Sequence, residues 1–313
     1  MSKYEFLDRR VPIEEGNIAI VQDLSKCKNC SLCRKACAVD MGVFDYYDLT
    51  TNGDHPICIH CGQCASICPF DSINERSEID EVKAAIADPN KIVVFQTAPA
   101  VRVGLGEEFG MDAGTFVEGK MVAALRKLGG DYVLDTNFGA DMTIMEEASE
   151  LVERVLNGSG ELPQFTSCCP AWVKFAETFY PEFLPNLSTA KSPIAMQAPT
   201  QKTYFAEKMG IDAKQIVAVA VTPCTAKKFE IRRDELNASA DYWDVPEMRD
   251  TDYCITTREL AKWLRAEEVN FDELEDSTFD PLMGEASGGG IIFGNTGGVM
   301  EAAMRTAYKF VTG

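Results

Sequence analysis

The sequence predicts an α/β protein in two parts: a small α+β module rich in cysteine, then a larger domain built on a parallel sheet. Three observations predict it. Eight of the twelve cysteines fall between Cys27 and Cys68. Beyond residue 90, short runs dense in Val and Ile alternate with segments of helical pattern, the texture of strand–helix units around a parallel sheet. Between these regions, Ser77–Lys91 is polar and helix-forming and ends on the turn signal Asp88-Pro89-Asn90. The resulting division is an N-terminal extension over 1–18, the cysteine module over 19–80, a connector over 81–90 and the sheet domain over 91–313.

The sheet elements follow in order. Lys91–Phe95 and Asp131–Leu134 read as short buried strands, and Gln215–Val221 as the clearest one, a continuous apolar run suited to a strand covered on both faces. Helical patterns cover Phe116–Leu128, Met142–Leu156, Pro193–Lys208, Thr257–Arg265 and Gly298–Phe310. The only internal duplication is in the cysteine module.

Composition narrows the function. A formal charge of −19 argues against bulk binding to nucleic acid or to an acidic membrane. An acidic partner would need a local basic patch. No run of 18 apolar residues appears, so no membrane span is expected. The N-terminal stretch lacks the apolar core of a signal peptide, which predicts a cytoplasmic protein. In that compartment, clustered cysteines point to metal or redox chemistry more than to disulfides.

Cys27, Cys30, Cys33 and Cys37 follow C-x2-C-x2-C-x3-C. Cys58, Cys61, Cys64 and Cys68 repeat it, and Pro69 follows. This is the two-cluster bacterial ferredoxin spacing. Three cysteines on one tight loop reach three corners of a cubane, while the fourth, opening a helical stretch, points to the other cluster. Hence Cys27, Cys30, Cys33 and Cys68 are expected on one [4Fe-4S] cluster, and Cys58, Cys61, Cys64 and Cys37 on the other. Structural zinc uses two separated C-x2-C pairs, and neighbouring thiols on one loop cannot all pair as disulfides. His55 and His60 flank the second motif and are expected beside the cluster or at the surface, not as ligands.

The second part carries two further loops, Thr166-Ser-Cys-Cys-Pro-Ala-Trp172 and Thr222-Pro-Cys-Thr-Ala-Lys-Lys-Phe-Glu230. The latter directly follows a predicted parallel strand, where such sheets place ligand sites. These loops resemble the first two signatures of [FeFe]-hydrogenases, usually TSCCPGW and MPCxxKxxE. Asp135–Asp141, Ser188–Pro193, Thr256–Lys262 and Phe293–Glu301 match that family too, so the resemblance spans nearly the whole chain from the first ferredoxin cysteine.

The resemblance implies an H-cluster: a [4Fe-4S] cubane joined through a cysteine to a diiron unit with CO, cyanide and azadithiolate. It assigns Cys169 and Cys224 as cubane ligands, Cys168 as the terminal proton donor and Lys227 as a donor to a cyanide. On its own, the Cys168-Cys169 pair also reads as two small buried hydrophobes. Glu147, Glu150 and Arg154 share one face of a predicted helix. The family's proton path runs from the loop cysteine through a Glu, a Ser and a second Glu to an Arg at the surface, matching Cys168, Glu147, Ser188, Glu150 and Arg154. Without Cys168 the same face would read as solvated. The implied reaction is 2H⁺ + 2e⁻ ⇌ H₂, fed by a ferredoxin-like carrier and assembled with H-cluster maturation proteins. The rival readings are a non-catalytic iron–sulfur electron-transfer or assembly protein and a hydrogen sensor.

Four departures mark the chain. Ala98-Pro-Ala100 replaces APS, Ile194 stands where many members have Gln, and Thr222 replaces Met. The family's third signature, ExMxCxxGCxGGxGQP, has no counterpart up to Gly313. The expectation is therefore a fragment, or a subunit whose third loop comes from a second chain, with little hydrogenase activity by itself. Cys254 does not resemble that loop and reads as a buried structural cysteine.

Overall fold

A computed structural model describes residues 9–44, 47, 49, 50 and 52–313; residues 1–8 of the expected extension lie outside the described residues. The chain divides into two units. The first comprises the described residues through Arg76 together with Cys169–Leu184 and Cys224–Glu230, and the second comprises Ser77–Cys168, Pro185–Pro223 and Ile231–Gly313. The two segments of the first unit that come from the later chain each begin at a cysteine.

In the first unit, β1 (Ile20–Gln22) and β2 (Ile73–Glu75) pair antiparallel, with Ile20 opposite Glu75. Short helices α1 (Leu32–Lys35) and α2 (Gln63–Ser66) carry the third cysteine of each motif, and α7 (Pro170–Phe179) and α10 (Lys227–Glu230) complete the unit. Val11, Ala19, Ile20, Ala65 and Ile73 form its apolar core together with Cys33 and Cys64. The duplication is a duplication of backbone. Asn29 and His60 occupy the same place in each motif with φ of 54° and 60°, as do Ser31 and Gly62 with 68° and 77°. These left-handed turns reverse the loop just before each third cysteine, so the helix opens there. The expected opening at the fourth cysteine is corrected: Cys37 lies inside the π-turn Ala36–Asp40, and Cys68 lies beyond α2.

The second unit is built on a four-stranded parallel sheet of order β4-β3-β5-β6: β3 (Ile92–Thr97), β4 (Tyr132–Asp135), β5 (Ile216–Thr222) and β6 (Tyr253–Thr256). All seven residues of β5 are buried. Val217, Val219 and Val221 face one apolar cluster with Phe95 and Leu260, while Ile216 and Ala220 serve clusters on the other side. Burial on both faces is why this strand reads as an unbroken apolar run. The chain runs outward from β3 to β4 and then returns to the other side of β3, so the strand order switches between β3 and β5. Open parallel sheets bind ligands beyond the carboxyl ends at such a switch.

The helices of this unit are α3 (Ile79–Ala87), α4 (Val101–Gly104), α5 (Glu118–Lys127), α6 (Thr136–Asn157), α8 (Pro193–Thr200), α9 (Ala206–Met209), α11 (Ala238–Trp243), α12 (Thr257–Ala266), α13 (Gly288–Phe293) and α14 (Gly298–Thr312). α3 lies over the stretch read as a connector, yet its Val82 is fully buried in the sheet's core. α6 begins six residues before the helix expected from Met142, because Asp135 ends β4 and caps α6 by accepting from the Asn137 amide at 3.0 Å. Gly139 lets α6 approach α8: a Cβ there would stand 2.3 Å from the Pro193 carbonyl oxygen. The single helix expected over Pro193–Lys208 is interrupted by a π-turn, Gln201–Phe205, after Pro199, which has no amide to donate. β6 was not expected; it buries Cys254 fully, in keeping with a structural cysteine. Thr256 and Glu259 close a reciprocal capping box at the start of α12. Among the described residues no helix is long and apolar enough to cross a membrane.

Candidate functional site

All twelve cysteines are free thiols. Eight of them make up the two motifs of the first unit. Cys27, Cys30, Cys33 and Cys68 line one small cavity. Burial first, then the neighbouring charges of Cys58 and Cys61, push the Cys37 thiol up to about 12. Burial and then Cys58, Cys61 and Cys37 raise Cys64 well above its ordinary value. The charges of Cys58 and Cys61 thus weigh on Cys37 more than that of Cys33, and Cys68 lines the cavity of the first motif.

This donor set suits iron–sulfur clusters. Buried thiols crowded this closely do not ionise unaided; bound metal supplies the missing positive charge and holds them as thiolates. No group of three His, Cys, Asp or Glu among the described residues is arranged to hold a single metal ion. A cubane differs, because it spreads its four thiolates over separate corners. Backbone amides already point at sulfur, from Asn29 to Cys27 Sγ at 3.4 Å, from His60 to Cys58 Sγ at 3.3 Å and from Val11 to Cys33 Sγ at 3.4 Å. Such bonds favour the charged sulfur.

Cys169 and Cys224 belong to the same unit and feel each other. Burial raises the Cys224 thiol, Lys227 lowers it, and the charge on Cys169 raises it again. Cys169 also raises Cys61, so the pair lies near the second cysteine motif. Close packing fixes that approach. A Cβ on Gly62 would stand 2.3 Å from Thr225 Oγ1, next to Cys224 in sequence, and Gly62 has φ of 77°. His60 is buried, stacked on Phe229, and held neutral: burial and Lys174 lower its pKa to about 4. It contacts Asn17 and is not arranged as a ligand, whereas His55 is exposed. Lys227 is buried against Glu230, its Nζ 2.9 and 2.8 Å from the two carboxylate oxygens. The i,i+3 spacing of these two residues was the signal for this pair, and the sequence reading passed over it.

The remaining site residues belong to the second unit. α6 carries Glu147, Glu150 and Arg154 on one face. It is anchored by a buried pair in which Arg102 Nη2 donates to Asp135 Oδ1 at 2.6 Å. Ser188 Oγ donates to Glu150 Oε2 at 2.6 Å, and Arg154 Nη2 to Glu150 Oε1 at 2.7 Å. Glu147 is 1% exposed, and no side chain among the described residues hydrogen-bonds its carboxylate. Burial raises its pKa to about 7; the nearby Ser167 amide pulls it back, and Glu150 pushes it further up. Cys168 follows Ser167 and packs against Ala140, Ile144 and Phe293.

One expectation is corrected. Arg154 is 6% exposed and not at the surface. Its guanidinium is wrapped by the carbonyls of Glu161, Pro185, Asn186 and Leu187. Glu150 is the member that reaches an open cleft, beside Glu146, Glu153, Thr189 and Lys191. The departures are also placed. Ile194 packs with Ala220, Ile231 and Cys254, Thr222 is buried at the end of β5, and Ala100 gives α4 no side-chain cap.

Comparison with known proteins covers both parts of the chain. Residues 91–313 match the family described as iron only hydrogenase large subunit, C-terminal domain, and residues 19–69 match a 4Fe-4S dicluster domain. The chain is 45% identical over 315 residues to iron hydrogenase 1 of Clostridium pasteurianum, covering 97% of this chain and 54% of that one. A solved structure of apo [FeFe]-hydrogenase HydA1 from Chlamydomonas reinhardtii superposes with a TM-score of 0.67 at 44% identity, over 75% of this chain and 58% of that one. A more distant relative, 31% identical over 275 residues, is cytosolic iron-sulfur assembly component 3 of Bos taurus, covering 82% of this chain and 55% of that one. The chain spans about half the length of curated relatives such as these.

Proposed function

Because the chain belongs to the iron-only hydrogenase large-subunit family, we propose that it serves the reaction 2H⁺ + 2e⁻ ⇌ H₂, with electrons supplied by a ferredoxin-like carrier. Cys27, Cys30, Cys33 and Cys68 would hold one [4Fe-4S] cluster, and Cys37, Cys58, Cys61 and Cys64 the other. Cys169 and Cys224 would hold the cubane of the H-cluster, with Lys227 donating to a cyanide. When bound, that cofactor supplies the redox chemistry at which protons and electrons combine.

The chain's own residues handle protons. Glu150 takes a proton from the open cleft and passes it through Ser188 to Glu147, and Cys168 makes the last transfer. Arg154 does not carry the proton, since a guanidinium is not deprotonated in a protein; it holds Glu150 in place. A donor with pKa near 7 is well matched to transfer at neutral pH.

The observation that carries this reading is the Glu147 carboxyl, buried beside the backbone amide of Ser167, the residue before Cys168. Structural cores seldom retain such a group, and functional sites do. The relationship to the assembly component favours a second reading, iron–sulfur work without hydrogen chemistry. The test is to mature the chain with H-cluster maturation proteins, alone and with a polypeptide carrying the third signature loop. Infrared bands of metal-bound CO and cyanide, and hydrogen by gas chromatography, are expected with the added loop and little hydrogen without it. Iron near eight atoms per chain with neither bands nor hydrogen in both preparations leaves the second reading.

A further inference from the structure

One buried stripe of α8 and the π-turn after it carries Ile194, Gln197, Gln201 and Phe205, spaced as neighbours on one helical face. Ile194 packs with Ala220 of β5, and Phe205 packs with Val94 of β3 and Leu134 of β4, so the stripe faces the sheet. Both glutamines are 0% exposed. Apolar side chains at the two ends of the stripe are ordinary core packing. Amides at the two middle positions are not, because a buried amide costs stability unless its hydrogen bonds are made.

The sheet brings a third amide to this stripe. Gln96 on β3, also 0% exposed, lies in register between Leu134 and Ala220, and its Nε2 donates to the Ile194 carbonyl at 3.4 Å. Gln197 Oε1 accepts from the Gly139 amide of α6 at 3.3 Å. These bonds use one atom of each of the two amides. Gln96 Oε1, Gln197 Nε2 and both amide atoms of Gln201 are buried without a hydrogen-bond partner among the described residues. Beyond Gln201 the seam is closed, where Phe205 meets Tyr132 edge to face with ring centroids 5.1 Å apart.

We propose that this seam between β3 and α8 is a binding site for ordered water. The unmet atoms select the ligand. Two are nitrogens that donate and two are oxygens that accept, so a cation or an anion would satisfy only one kind, whereas water does both. A buried water makes about three hydrogen bonds, so about one or two molecules serve the four atoms. Bridged in this way, Gln96, Gln197 and Gln201 join β3 to α8 and, through Gly139, to α6. The three elements are then held by a shared hydrogen-bonded link as well as by apolar packing. The site lies apart from the cysteine sets and does not rest on the proposed reaction.

Gln201 decides the matter, because its amide spends no hydrogen bond on another described residue. In a dry seam, Gln201→Leu removes two unmet polar atoms at nearly constant volume and should make the protein more stable. In a hydrated seam the same change takes two bonds from the water and strands Gln96 and Gln197. The unfolding equilibrium constant of the cluster-loaded protein, from urea titration, should then rise about fivefold or more. For Gln96→Leu/Gln201→Leu the rise should be clearly less than the product of the two single effects, because both residues hold the same water. A crystal structure of the cluster-loaded parent should show water within hydrogen-bond distance of at least three of the four atoms, and a Gln201→Leu crystal should show less water there.

A parent crystal in which the glutamine amides bond directly to one another, with no water between them, overturns the proposal. So does a Gln201→Leu protein as stable as the parent or more so, and so do single effects that simply multiply in the double variant. Should Gln201→Leu fail to fold, the parent crystal alone decides. None of these measurements reads hydrogen, so a chain that makes none can keep the water site, and a dry seam leaves the proposed reaction untouched.

Discussion

The imidazole of His60 lies against the ring of Phe229, centroids 4.7 Å apart and planes 20° from parallel. Lys174 Nζ stands over the same Phe229 ring at 5.2 Å. His60 sits between Cys58 and Cys61, Phe229 follows the Cys224 loop, and Lys174 is on the helix that begins after Cys169. One stack therefore ties the second cysteine motif to both cysteines expected to hold the third cubane. Replacing His60 by Ala removes a buried ring and should cost about 2–3 kcal/mol in urea unfolding of the cluster-loaded protein. His60→Phe should recover most of this loss, since it keeps the stacked ring and gives up only the contact with Asn17. If the two variants are equally destabilised, the hydrogen bond and not the stack is what matters.

Lys227 and Glu230 form a buried pair whose members are not interchangeable with single neutral residues. Glu230→Ala leaves a buried ammonium without its carboxylate and should lower stability by about 3–5 kcal/mol. Lys227→Met/Glu230→Leu removes both charges and should cost far less. Chemical denaturation of the three proteins decides this. Equal losses in the single and double variants would show that packing, not charge, holds α10.

The parts that were legible in the sequence have short-range causes. Cysteine spacing marked both motifs, because each three-cysteine loop has a geometry that follows from its own left-handed turns. The apolar run of β5 named the central strand because both faces are covered. The missed parts depend on partners distant in sequence. The first turns of α6 were left out of the expected helix because Asp135-Thr-Asn-Phe-Gly carries its helix signal in a cap set by the end of β4. β6 is only four residues long and shows itself through pairing with β5. Arg154 was expected at the surface because the family resemblance implies an arginine there; the carbonyls of Glu161 and of the 185–187 turn, which wrap it, reveal otherwise. The stack on His60 joins three separate segments and has no local signature.

The exchange of the fourth cysteines between sets makes a sharp prediction. Cys68→Ser should give the same iron loss and the same altered electron paramagnetic resonance spectrum as Cys27→Ser, since both line the first cavity. Cys37→Ser should instead match Cys58→Ser. Each should cost about half of the ferredoxin-type iron if the damaged cluster is lost. A Cys68→Ser spectrum identical to that of Cys64→Ser would mean that each motif keeps its own four cysteines.

Glu147 makes stability depend on pH in a direction opposite to that of most carboxylates. Burial raises its folded pKa to about 7 from an ordinary value of 4.5. Below 4.5 the carboxyl is protonated whether the chain is folded or not, and its burial carries no charge penalty. Between 4.5 and 7 the unfolded chain releases the proton while the folded chain keeps it, so stability falls as pH rises. Above 7 both forms are ionised and the penalty is complete, at roughly 3 kcal/mol. Glu147→Gln removes the titration and keeps the shape. It should be about as stable as the parent at pH 4.5 and more stable by that amount at pH 8, with the gap opening between the two. The same substitution should slow proton delivery in any preparation that makes hydrogen, because glutamine cannot release the proton it holds. A stability difference that does not change with pH would mean that Glu147 titrates alike in the folded and unfolded chain, without the raised pKa that suits it to act as the donor behind Cys168.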